Sequence, residues 1–95
     1  MPASVKTLIS TNLQARFSAL GDPTRYHIVK LLIRRPELCV SEVAKSVGIS
    51  TAGISQHMKV LEQSGLVKPE RMGQKTCYRL RLEAGDNQTL LSLIK

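Results

Sequence analysis

A chain of 95 residues has room for one small domain, which buries only about 60 to 65% of its unfolded surface, so a partner subunit would add burial that the monomer lacks. A net charge of +7 and an isoelectric point near 9.9 favour a polyanionic partner, while 3% aromatic residues leave few rings for stacking single-stranded bases. Two cysteines are too few for a disulfide scaffold; with no signal peptide and no apolar run of about 18 residues, the expected setting is the cytoplasm, away from membranes.

Val5, Leu8, Ile9, Leu13, Phe17 and Leu20 recur at helical spacing, with Lys6, Asn12, Gln14 and Arg16 turned away, which predicts an amphipathic helix from Val5 to Leu20. Gly21 ends it. Asp22 followed by Pro23 reads as an N-cap and first helical position, opening a second helix to Arg35 with Ile28, Val29, Leu31 and Leu32 inward. Pro36 stops that helix, Leu38 to Val40 reads as a short strand, and Ser41 is expected to cap a third helix that ends near Val47. Ser50 caps a fourth helix to Ser64, with Ile54, Met58 and Leu61 inward and Gly65 as its stop.

From Leu66 to Leu82 the pattern becomes a β-hairpin with Met72, Gly73 and Gln74 at its tip. Thr76, Tyr78, Leu80 and Leu82 alternate with Cys77, Arg79 and Arg81, so Cys77 is expected on a wet face. Pro69 cannot donate a ladder hydrogen bond and marks its strand as an edge. Glu83 to Gln88 reads as a turn, and Asn87 to Lys95 as a last helix carrying Leu90, Leu91, Leu93 and Ile94. The expected fold is mainly α with a small β-hairpin, ordered α-α-β-α-α-β-β-α, in a single domain over residues 1–95.

The third and fourth helices, joined by a Gly-containing turn, describe a helix-turn-helix whose second helix fits the DNA major groove. With Ile54, Met58 and Leu61 on the core side, Thr51, Ala52, Ser55, Gln56 and Lys59 must point outward, supplying hydroxyls and an amide for base edges and a lysine for phosphate. His57 shares this helix as a structural or DNA-contacting residue. The hairpin sets Lys68, Arg71, Lys75, Arg79 and Arg81 against one acidic residue, Glu70, and would serve as a wing on the phosphate backbone. The candidate DNA-binding residues are Ser50, Thr51, Ala52, Ser55, Gln56, His57 and Lys59 on the helix and Arg71, Lys75 and Arg79 on the wing. A winged-helix module for a protein partner is the alternative, and it would need neither the basic hairpin nor the hydroxyl-rich helix face. No nucleophile triad, phosphate loop or carboxylate pair points to an enzyme.

The stretches "FSALGDPTRYHIVKLL", "ELCVSEVAKSVGIS", "TAGISQHMKVLEQSGLV" and "GQKTCYRL", within residues 17–82, together resemble the ArsR/SmtB winged-helix transcriptional regulators. The resemblance implies a homodimeric repressor in which residues 1–20 and 86–95 form the dimerisation helices and two recognition helices meet a palindromic double-stranded operator. It also implies release from DNA by an effector, whose identity is left open. Metal-sensing members of that family carry a Cys-x-Cys at the start of the third helix; here the second position is Ser41, a poor ligand for soft metals. Asn87 to Lys95 offers no His, Cys, Asp or Glu, so no cofactor or metal is expected, and His27 and His57 stand without the further ligands that zinc needs. A thiol-redox regulator using Cys39 and Cys77 is a second alternative. Arg79 and Arg81 beside Cys77 would favour its thiolate, and oxidation of the pair is expected to weaken DNA binding.

Overall fold

The computed structural model describes residues 11–94, with side chains from Leu13 onward. Among the described residues, five helices and a three-stranded antiparallel sheet follow in the order α1 (Thr11–Leu20), α2 (Pro23–Arg34), β1 (Leu38–Cys39), α3 (Val40–Val47), α4 (Thr51–Ser64), β2 (Val67–Met72), β3 (Lys75–Leu80) and α5 (Gly85–Ser92). The expected Val5, Leu8 and Ile9 stripe lies outside the described residues. This element order, with β3 between β1 and β2, is a winged helix-turn-helix.

Local chemistry accounts for most boundaries. Asp22 Oδ2 accepts the Arg25 amide at 3.0 Å and Pro23 follows as the first helical residue, so α2 begins where the cap places it. Ser50 Oγ accepts the Gly53 amide at 3.1 Å to start α4. Gly65, at φ 89°, ends α4 in the left-handed region that a side chain would resist. Inside α4, a Cβ at Gly53 would meet Ile49 Cγ2 at 2.8 Å, so glycine lets the inter-helix turn pack onto the start of α4.

Three expectations are corrected. The third helix starts at Val40, with Cys39 and not Ser41 at the N-cap, because Glu42 Oε1 accepts the Cys39 amide at 2.9 Å and thereby fixes the cap three residues before it. Ser41 is exposed in the first turn. The last helix starts at Gly85 and ends at Ser92, so it includes Asp86, whose negative charge suits a helix start. On α1, Arg16 is buried at 6% exposure and Phe17 is exposed at 57%: Arg16 Nη2 donates to Asp86 Oδ2 at 3.1 Å, and small Ala19 beside it packs into the core.

The core joins Ile28, Val29 and Leu32 of α2, Val43 of α3, Ile54, Met58 and Leu61 of α4, and Leu38, Val67, Tyr78 and Leu80 on one face of the sheet. Asn87 of α5 is also fully buried. Its Nδ2 donates to Gly65 O at 3.0 Å and Arg81 O at 2.8 Å, tying α5 to the stop of α4 and the end of β3. Replacing Asn87 with alanine leaves two carbonyls without that donor, and we expect a loss of about 1 to 3 kcal/mol of stability in urea unfolding.

Candidate nucleic-acid interface

The N-terminal half of α4 and the hairpin tip border one face of the molecule. Thr51, Ala52, Gln56 and Lys59 are exposed and Ser55 is half-buried, because Ile54, Met58 and Leu61 occupy the opposite side of the helix, fully buried. Between α4 and the hairpin runs a cleft lined by Cys39, Ser41, Thr51, Ser55, Gln74 and Thr76, among others. Ser50 stands at its helical end, with its hydroxyl already engaged in capping.

The hairpin's charges divide by position. Near the base, Lys68 and Arg81 pair with Glu83 at 3.6 and 3.3 Å. Arg79 lies 3.1 Å from Glu70 and 3.7 Å from Glu37, which draws its charge into the sheet face and away from the tip. A hydrogen bond with Glu70, burial and the Glu70 charge hold the Glu37 carboxyl above its ordinary range, with Arg79 opposing. Lys59, Arg71 and Lys75 enter none of the ion pairs among the described residues and are exposed. Strand pairing explains why two of these share the tip: Arg71 and Met72 lie opposite Thr76 and Lys75, the last pairs before the turn at Gly73.

His57 is half-buried at the other edge of α4. Arg25 Nη1 donates to His57 Nδ1 at 3.2 Å, while Arg25 Nε donates to Ala19 O at 2.8 Å. Arginine has donors only, so this contact assigns the His57 proton to Nε2. Asp22 Oδ2 stands 3.9 Å from the same Nδ1. The backbone amide of Arg25, followed by the charge of Arg25, holds the Asp22 carboxyl below its ordinary value of 3.8, so its contribution to folding is present above that pH and fades as pH falls below it. Asp22 and Arg25 thus join the end of α1, the start of α2 and α4. The sequence signal nearest this clamp is the Asp22–Pro23 pair, which marks the start of α2 and carries nothing about His57.

Cys39 and Cys77 are brought together and form a disulfide, with Cα atoms 3.7 Å apart as direct partners in the β1–β3 pairing. The expected wet position of Cys77 is corrected: it is fully buried, because β3 is the central strand and Cys39, Glu70 and Arg79 stand around it on that face. Cys39 is half-buried. Among the described residues no three His, Cys, Asp or Glu side chains converge to hold a metal ion, and Asp86, which the earlier start of α5 includes, is held by Arg16. No helix among the described residues is long and apolar enough to cross a membrane.

Residues 22–68 match the model of the bacterial regulatory protein arsR family. The chain is 36% identical over 90 residues to the uncharacterized HTH-type transcriptional regulator YuzN of Bacillus subtilis, covering 88% of this chain and 92% of that one. The chain belongs to the ArsR family. This ArsR-family chain is also 39% identical over 64 residues to the arsenical resistance operon repressor of Escherichia coli, covering 67% of this chain and 55% of that one. It spans about half the length of several such relatives. Among solved structures, the homodimeric winged helix-turn-helix DNA-binding domain Mb0332 of Mycobacterium bovis superposes with a TM-score of 0.79 at 26% identity, covering 94% of this chain and 80% of that one.

Proposed function

We propose that this ArsR-family chain is a sequence-specific transcriptional regulator that binds double-stranded DNA as a homodimer and acts as a repressor. The observation that carries the reading is the single face on which α4 exposes Thr51, Ala52, Gln56 and Lys59 beside the unpaired Arg71 and Lys75 of the wing tip. In this reading α4 enters the major groove, where the Gln56 amide can donate and accept at one base and Thr51 and Ser55 reach neighbouring edges. Lys59, Arg71 and Lys75 hold phosphates, and His57 sits at the margin of the contact. Arg79 contributes less than Arg71 or Lys75, because Glu37 and Glu70 already compensate its charge.

The dimer face in this reading is formed by α1 and α5. Phe17 and Leu93 stay 57% and 78% exposed, with Tyr26 at 39% near them, around a groove they share with Leu20, Leu90 and Ile94. Two-fold pairing through this face would bury rings that water otherwise meets, and it would space the recognition helices for palindromic half-sites about 34 Å apart. The Mycobacterium bovis domain described as homodimeric supports it, and the Escherichia coli relative named a repressor supports the sign of the output.

Selection of binding sites from random duplex DNA tests the reading by returning a palindrome. On the selected site, Gln56→Ala is expected to cost about 1 to 3 kcal/mol of affinity and to relax base choice at one position per half-site. Equal weakening on selected and random duplexes would place Gln56 away from the base edges. Failure to enrich any duplex would favour the protein-interaction alternative.

A further inference from the structure

We propose that Cys39 and Cys77 are a hydroperoxide-responsive pair in which Cys39 reacts first, Cys77 resolves, and the disulfide they form fixes the wing against the helix-turn-helix so that the oxidised chain binds DNA more tightly. The regulatory part rests on the DNA-binding reading above; the order of the thiol steps does not.

The two sulfurs differ in access. Cys39 is half-buried and lines the cleft between α4 and the wing tip, so a small oxidant can reach it from the face proposed to meet DNA. It also occupies the N-cap of the eight-residue α3, where the positive end of the helix favours a thiolate. Glu42, in the first turn of α3, is turned to the Cys39 backbone amide and to Arg35. Cys77 is fully buried and lies directly opposite Cys39 in the β1–β3 register, placed to meet an oxidised partner and shielded from the oxidant itself.

In the first step the Cys39 thiolate attacks one oxygen of the hydroperoxide. A sulfur–oxygen bond forms, the oxygen–oxygen bond breaks, and the departing alkoxide takes the proton that Cys39 released, leaving a sulfenic acid and an alcohol. In the second step the Cys77 sulfur attacks the Cys39 sulfur. The disulfide forms, the sulfur–oxygen bond breaks, and hydroxide leaves with the Cys77 proton as water. Two thiols lose two electrons in all, and the hydroperoxide is reduced to alcohol and water.

The bond spans two working parts. β1 is two residues long and its last residue caps α3, the first helix of the helix-turn-helix; β3 is the inner strand of the wing. Without the cross-link, β1 meets β3 through only two residue pairs, Leu38 with Tyr78 and Cys39 with Cys77. That seam, together with the packing of β2 on α4, sets the gap between α4 and Arg71 and Lys75. The cross-linked form keeps Thr51, Gln56, Lys59, Arg71 and Lys75 exposed, so oxidation leaves the reading face intact and lowers the ordering cost of binding. This sign reverses the one expected for an exposed Cys77.

The test compares wild-type protein oxidised with hydrogen peroxide and reduced with a dithiol, alongside Cys39→Ser and Cys77→Ala. Dimedone should label Cys39 in Cys77→Ala after peroxide and should leave Cys77 unlabelled in Cys39→Ser, where serine keeps an N-cap hydroxyl for folding. Titrated on a duplex selected from random DNA, oxidised wild type should bind about tenfold more tightly than reduced, and Cys39→Ser should bind equally in both conditions. Labelling of Cys77 in Cys39→Ser overturns the order of steps, and equal or weaker binding by the oxidised wild type overturns the regulation. If neither redox form binds any duplex, the DNA-binding function falls and the regulation with it, while the labelling still decides the chemistry.

Discussion

Raising monovalent salt from about 50 to 200 mM is expected to lower the affinity of the proposed dimer for duplex DNA by about a thousandfold, and a plot of log affinity against log salt should be a straight line. The size follows from the free cations. Lys59, Arg71 and Lys75 are exposed and outside every ion pair among the described residues; three per subunit make six phosphate contacts and a slope of about −5. Lys68, Arg79 and Arg81 are left out of that sum because Glu83, Glu37 and Glu70 already neutralise them. Lys75→Ala removes one contact from each subunit, so the slope should fall in magnitude by about two on selected and random duplexes alike. A slope near −9 would mean that the base of the hairpin also gives up its carboxylates to reach phosphate. A flat line would favour a protein partner, whose binding need not release counterions.

The distribution of what the sequence made legible follows the range of the interactions involved. Both ends of α4 and the start of α2 could be read because Ser50, Gly65 and the Asp22–Pro23 pair act within a few residues of themselves. The start of α3 could not be read from a preference for hydroxyl caps, since the deciding contact is the Glu42 carboxylate reaching back to Cys39. Arg16 looked like a surface residue because its partner, Asp86, lies 70 positions away. Alternation along β3 correctly separated two faces, yet it carried no information on what stands around Cys77. Partners on both flanking strands, Cys39 and Glu70, close that face. The candidate interface was legible in the same uneven way: the exposed side of α4 followed from Ile54, Met58 and Leu61, whereas the split of the wing into a compensated base and a free tip required the positions of Glu37, Glu70 and Glu83.

Reducing the Cys39–Cys77 disulfide is expected to lower the unfolding free energy by about 2 to 4 kcal/mol and the thermal midpoint by about 10 to 20 °C. The cross-linked residues are 38 positions apart, and closing a loop of that size removes conformational freedom chiefly from the unfolded chain. Oxidised and reduced protein should be unfolded in urea at one protein concentration, because a dimer's midpoint depends on concentration. Reduction should also steepen the denaturant dependence, since an uncross-linked unfolded chain exposes more surface. The double variant Cys39→Ser with Cys77→Ala should show neither change between the two conditions. A loss below about 1 kcal/mol would mean that the unfolded ensemble already holds these segments together. A domain of this length has about 5 to 14 kcal/mol of stability in total, so the expected loss leaves the reduced chain folded while loosening the β1–β3 seam. In the proposed regulation, that difference in scale would let one bond change the geometry of the wing without unfolding α4, the helix proposed to read DNA.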